Sequence, residues 1–243
     1  MRKIIFILLF CNQILADENL FIQANKQYAE EKYIDAISLY DSIIYNGLES
    51  SELYYNLGNC YYKIKDWPQA IWYYKKSLSI NPNNNDAYHN LNVSKLKTKN
   101  LTKEIPQLFY KKWIDNIINL LSLKNWQIFT LICIWIVVII QILKIFTKFK
   151  IKHLVTFFHI FSLIILITTY AAYQKKYTKK EAIIFSSSTI VNSAPSSSGT
   201  NLFSLNPGNE IRIIDQIEDW VKIKTTDGRN GWVKKTDCKR ISN

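Results

Sequence analysis

Two runs of this 243-residue chain leave it little choice of environment. Residues 126–143, WQIFTLICIWIVVIIQIL, carry no charge over 18 positions, and residues 154–173, LVTFFHIFSLIILITTYAAY, carry none over 20 with His159 neutral. A helix of either length crosses a hydrocarbon core of about 30 Å at about 1.5 Å per residue. The connection between them is short and holds Lys144, Lys148, Lys150 and Lys152. A basic loop of that kind belongs on the cytoplasmic side. Lys175, Lys176, Lys179 and Lys180 flank the far end, so the hairpin's own lysines do not orient it. The expectation is a two-helix transmembrane hairpin, with spans over 126–146 and 154–173. Gln127, Gln141 and His159 fall near span ends, and a proton or ion path would need several ionisable groups at depth.

The charge distribution narrows the partners. The net charge is +12, yet residues 106–180 alone hold 11 lysines against one acid, Asp115. Lysines that flank apolar spans meet lipid headgroups. Residues 17–105 and 181–243 are each within one charge of neutral, which argues against nucleic acid as a partner. Residues 1–16, MRKIIFILLFCNQILA, place a basic start before an apolar run and end at Ala16, the layout of a secretory signal peptide. Such a segment puts residue 17 outside the cytoplasm, so both soluble parts are expected on the periplasmic side of a bacterial inner membrane. The four cysteines, Cys11, Cys60, Cys133 and Cys238, form no CxxC pair and read as isolated thiols.

Between the signal segment and the spans, the sequence repeats at a period of 34. Residues 51–84 place Tyr54, Leu57, Gly58, Tyr61, Ala70, Tyr74 and Pro82 where the tetratricopeptide pattern wants an aromatic, Leu, Gly, Tyr, Ala, an aromatic and Pro. Gly58 and Ala70 let two antiparallel helices approach, Tyr61 and Tyr74 fill the wedge beside them, and Pro82 stops the second helix. Residues 17–50 repeat Ala36 and Tyr40 at the places of Ala70 and Tyr74. Residues 85–104 begin a third unit with Tyr88, Asn90 and Leu91 and then turn polar, as a capping helix does. Arrays of this kind bind peptides on the concave face of their first helices. That face is expected to hold Asn25, Tyr28, Tyr55, Asn59, Tyr62, Lys63 and His89. Asn25 and Asn59 share one repeat position and suit hydrogen bonds to a bound backbone, or else they are solvated surface. His89 has no metal-ligand companion and Lys63 stands without a basic cluster.

Residues 105–123, IPQLFYKKWIDNIINLLSL, place Leu108, Phe109, Trp113, Ile117, Leu120 and Leu121 at helical spacing. With Lys111 and Lys112 beside Trp113, this is either a helix lying at the headgroup level or a linker helix packed on the repeats. Beyond the spans, residues 181–243 change to short β-like runs. Asn206-Pro207-Gly208 and Asp227-Gly228 are turn signals, and Trp220-Val221-Lys222-Ile223-Lys224 alternates at period two. The stretch DWVKIKTTDGRNGWV resembles bacterial SH3-type domains, which implies a small all-β barrel. Trp220 and Trp232 then either form an aromatic shelf for a peptide or wall fragment, or serve as core.

The whole order is a signal peptide, tetratricopeptide units, IPQLFYKKW before a two-span hairpin, and an SH3-like module. That order resembles BatE-type proteins of the Bacteroides aerotolerance operons. The resemblance implies a cell-envelope complex with other Bat-type membrane proteins and a link to oxygen tolerance or envelope stress. The expected function is a membrane-anchored interaction scaffold that touches lipid and envelope proteins and holds no cofactor. The alternative is a peptidoglycan-associated module that recruits a wall enzyme. No Ser/His/Asp set, metal cluster or phosphate loop is legible, so no enzymatic activity is expected.

Overall fold

A computed structural model describes residues 18–98, 101–102, 106, 108–146, 152–178 and 180–241. The expected signal peptide, with Cys11, and the middle of the lysine connector lie outside the described residues.

The amino-terminal part is a stack of antiparallel helices: α1 over 18–29, α2 Tyr33–Tyr45, α3 Ser51–Lys63, α4 Trp67–Ile80 and α5 Asn85–Lys97. The 34-residue period reappears in the smallest details. Ser50 and Asn84, 34 apart, both cap the following helix, accepting from the Leu53 and Ala87 amides at 3.0 Å. Glu31 and Lys65, also 34 apart, both sit in the left-handed region, with φ of 61° and 65°. Each closes its turn with the same pair of backbone bonds, Glu31 to Tyr28 and Lys32 to Gln27, then Lys65 to Tyr62 and Asp66 to Tyr61. The core between helices is built from Ala24, Ala36, Tyr40, Leu57, Ala70 and Tyr74, all essentially buried. A Cβ on Gly58 would fall 2.6 Å from the Tyr74 ring, so the glycine sets how closely α3 and α4 approach.

Helix α6, Phe109–Asn119, buries no residue of its own and lies over the head of the hairpin formed by α7, Leu123–Phe146, and α8, Lys152–Thr178. Lys175 near the end of α8 donates to Asp115 and Asn119 of α6, both at 2.9 Å, and the Trp126 indole donates to the Ile118 carbonyl at 2.9 Å. The 24 residues of α7 extend about 36 Å. Where α7 and α8 meet, Cys133, Ile165 and Ala172 are buried and Thr130 bonds Thr169 at 2.7 Å. Gln141 bonds His159 at 3.0 Å, and the other ring nitrogen of His159 donates to the Val155 carbonyl, so the imidazole is satisfied inside the pair. The outward faces are almost wholly apolar, with Leu131, Trp135, Ile139, Phe157, Ile160 and Ile167 exposed. Both helices are long and apolar enough to cross a membrane.

The carboxy-terminal part is an antiparallel sheet of β1 Glu181–Ile184, β2 Thr189–Asn192, β3 Asn201–Leu205, β4 Glu210–Ile217, β5 Trp220–Thr225, β6 Asn230–Lys234 and β7 Cys238–Arg240. Its order among the described residues is β3-β2-β6-β5-β4-β1-β7. The closed barrel expected from the sequence is corrected here: β3 and β7 are edges, and no ladder joins them. The reason lies in β1. Its apolar run Ala182-Ile183-Ile184 is buried on both faces. Ala182 and Ile184 enter the sheet's own core with Val221, Ile223 and Val233, while Ile183 and Ile241 turn the other way into the helical core. The helices pack on the face of β1 opposite the sheet's own core.

Gly58→Ala is expected to destabilise the protein by about 1–3 kcal/mol through overpacking against the fully buried Tyr74, more than the roughly 1 kcal/mol that alanine gains in helix propensity. Thermal unfolding of the two proteins in the same detergent would check the sign.

Candidate functional site

The concave face is assembled by a hydrogen-bond unit that recurs with the repeat. The Asn25 side-chain oxygen accepts from the Tyr40 hydroxyl at 2.5 Å and from the Asn56 amide at 3.0 Å. Thirty-four residues on, the Asn59 oxygen accepts from the Tyr74 hydroxyl at 2.8 Å and from the Asn90 amide at 2.9 Å. Burial drives the Tyr40 and Tyr74 hydroxyls well above the ordinary tyrosine value, so both stay protonated as donors. Each Asn therefore spends its carbonyl on holding its own repeat to the next.

Tyr28 packs edge-on against Tyr33, with ring centres 5.4 Å apart, and Tyr55 lies 6.1 Å from the Tyr74 ring. Tyr62 meets Trp67 edge-on at 5.1 Å. The structure thus brings Asn25, Tyr28, Tyr55 and Asn59 together around α1, α3 and α5, joined by Asn56 and Asn90. Lys63 and His89 are exposed at the margins. Asn56 and Asn90 were missed as site residues from sequence. Their signal was there, since each lies 31 positions after its Asn partner and they are 34 apart from one another.

Cys60, buried behind this face, has its thiol pushed up to about 12 by burial, and Cys238 is pushed up to about 11 for the same reason. Neither is a thiolate at neutral pH, so neither is a nucleophile or a ready metal ligand. Among the described residues no three His, Cys, Asp or Glu side chains gather as a metal ion would require.

On the sheet, Trp220 and Trp232 lie on the same outer face, on adjacent strands and diagonal to one another across the Lys222–Trp232 and Trp220–Lys234 pairs. Trp232 is 8% exposed and has the Lys222 ammonium 5.9 Å from its ring centre, whereas Trp220 is half-buried with part of its ring open. A Cβ on Gly231 would fall 2.3 Å from Val191, which explains the glycine immediately before Trp232.

The least expected feature is the joint between helices and sheet. Trp72 of α4 is buried and donates its indole N–H to the Arg240 carbonyl at 2.8 Å, with the Lys239 ammonium 3.6 Å above its ring. Beside it, Lys75 is in contact with Glu210 and lies 3.2 Å from Glu181, and Lys95 of α5 reaches Glu210 at 2.7 Å. Thr102 donates its amide to Asn209 at 2.8 Å and exchanges hydroxyl bonds with Thr226. Gly208, at φ +86°, brings its turn to where a Cβ would sit 2.9 Å from Thr98. Burial works against the Lys75 charge, but Glu210 and Glu181 outweigh it and hold the ammonium above the ordinary lysine value. Burial likewise opposes the Glu210 charge, and Lys75 and Lys95 together hold its carboxyl below the ordinary glutamate value.

Comparison with known families now divides the chain. Residues 51–84 match the tetratricopeptide repeat, and residues 187–237 match the bacterial SH3 domain. The chain carries a tetratricopeptide array and a bacterial SH3-like module. No curated protein matches it. Domains of these two kinds suggest protein-interaction or cell-wall-binding roles. The tetratricopeptide match falls on the unit with Gly58, Ala70 and Tyr74 in place. The SH3-like match begins beyond β1, the strand that is shared with the helical core.

Because Glu210 is depressed, its contribution to stability is complete above the ordinary glutamate value of about 4.5 and is lost as pH falls through its lower folded value. Lys75 is raised, so its share is complete below about 10.5 and is lost as pH rises through its higher folded value. Glu210→Gln is expected to cost about 3 kcal/mol at neutral pH by stranding buried lysine charge, and to flatten the acid side of a thermal-unfolding profile taken against pH. An unchanged acid limb would show that Glu210 does not hold the joint.

Proposed function

We propose that this protein is a membrane-anchored interaction scaffold of the bacterial cell envelope. Its hairpin crosses the inner membrane, its two modules stand in the periplasm, and it performs no catalysis. One observation carries the reading. The repeats and the SH3-like module, separated in sequence by two membrane-length helices, share a core through Ile183 and Ile241 and a buried charge cluster through Lys75 and Glu210. Two such modules must lie on the same side of whatever α7 and α8 cross. An even number of spans fits that requirement, and the signal-peptide layout of residues 1–16 then puts the connector in the cytoplasm.

The concave face is where a partner's extended segment binds. Asn25 and Asn59 offer amide hydrogens to its backbone, and Tyr28, Tyr55 and Tyr62 supply rigid aromatic area. The array is short, so partner choice is shared with the SH3-like module. By resemblance, the partners are other membrane proteins of a BatE-type aerotolerance complex. A second reading has support of its own: the bacterial SH3 match and the half-open Trp220 beside Lys222 suit a peptidoglycan strand, with the repeats recruiting a wall enzyme.

Protease added to spheroplasts is expected to digest both modules and spare the hairpin; protection of either module sinks the orientation. Capture from membranes with the full chain should recover a protein partner that Tyr55→Ala with Lys63→Glu loses by about tenfold. Equal recovery removes the concave-face role. Sedimentation of the detergent-solubilised full chain with purified wall, abolished by Trp220→Ala, would instead favour the second reading.

A further inference from the structure

A cleft of about 860 Å³ opens where α4, α5 and α6, the head of the α7–α8 hairpin and the β4–β5 hairpin come together. Its walls are of two kinds. Leu121, Leu123 and Ala172 make an apolar floor at the head of the α7–α8 seam, beside the exposed apolar faces of both helices. Around the rest, among the described residues, six Lys or Arg side chains face two carboxylates. Those carboxylates, Glu181 and Glu210, are already engaged by Lys75 and Lys95, and Lys175 is held by Asp115 and Asn119. What remains is Lys111 on α6, Arg212 on β4 and Lys224 on β5. All three are exposed, and among the described residues none has a carboxylate within ion-pair distance. Three uncompensated cations from three different elements thus surround a cavity whose floor is the membrane end of the hairpin.

We infer that this cleft seats the headgroup of an anionic phospholipid. Its phosphate lies among Lys111, Arg212 and Lys224, and its acyl chains run past Leu123 and Ala172 down the hairpin. The inference rests on the membrane reading of α7 and α8 given above. A small soluble anion would satisfy the cations and leave the apolar floor wet. A zwitterionic lipid would match the floor and leave the excess positive charge unmet. An anionic amphiphile matches both walls. The ion pair from Lys175 to α6 fixes the shape of the cleft from the hairpin side, and the Glu210 cluster fixes it from the sheet side. The occupied cleft would tie the two modules directly to the bilayer surface.

The full chain is reconstituted into nanodiscs of phosphatidylcholine with an equal share of phosphatidylglycerol, and the lipids retained after gentle release are counted by native mass spectrometry. The protein is expected to enter discs of either lipid alone and, from the mixture, to retain phosphatidylglycerol preferentially. Arg212→Gln with Lys224→Gln should weaken that preference by about fivefold per cation. Lys26→Gln with Lys65→Gln, an equal charge change on the distant repeats, should leave it intact. Insertion with no phosphatidylglycerol preference, or a preference that both double variants keep, overturns the inference while the membrane reading stands. Failure to insert into any disc overturns both. Inorganic phosphate that stabilises the detergent-solubilised protein against heat as much as phosphatidylglycerol does would overturn the choice of a lipid.

Discussion

Lys75 and Glu210 lie 135 positions apart in the chain, and the salt bridge between them holds the molecule's two soluble parts in one frame. Neither charge would remain inside protein alone, since an unpaired buried ion costs several kcal/mol. Each is answered twice: Lys75 by Glu210 and Glu181, and Glu210 by Lys75 and Lys95. Trp72 closes one flank of this cluster, and the Thr102–Thr226 hydroxyl pair closes another. The position of the sheet over α4 and α5, the burial of β1 on both faces and the open edge at β7 all follow from this docking.

The concave face shows the same economy on a smaller scale. A residue that looks from sequence like a ligand contact, Asn25 or Asn59, turns half of its hydrogen-bonding capacity inward to register one repeat on the next. The tyrosines behind it serve as donors because burial keeps them protonated. Such a face is held in shape by its own hydrogen bonds, and on the proposed reading that lowers the ordering cost of binding.

Much of this was legible in the sequence. The period of 34, the small residues at Gly58 and Ala70, the glycine turns at Gly208 and Gly228 and the two apolar runs are local or periodic signals, and each appears where expected. The β4–β5 hairpin turn at Glu218-Asp219 escaped notice because it carries no glycine, though Glu218 has φ of 49°. The open sheet was illegible for a different reason. Residues 182–185 read as an ordinary short apolar run, and nothing in the run says that alternate side chains serve two different cores. The joint was illegible too, because Lys75 and Glu210 each look like ordinary surface charge until the fold brings them together. Long-range pairing of buried charge leaves no trace at short range.

The two-faced strand β1 has a consequence for biogenesis. The helices are made first and the sheet last, with both membrane-length segments between them. Until the hairpin is threaded correctly, Ile183, Ile241 and Glu210 have nothing to rest on, and the corresponding surface of α4 is bare. On the proposed membrane reading, the last sixty residues complete their core only once both membrane-length segments are threaded, so the docking of the sheet reports on the insertion of the hairpin.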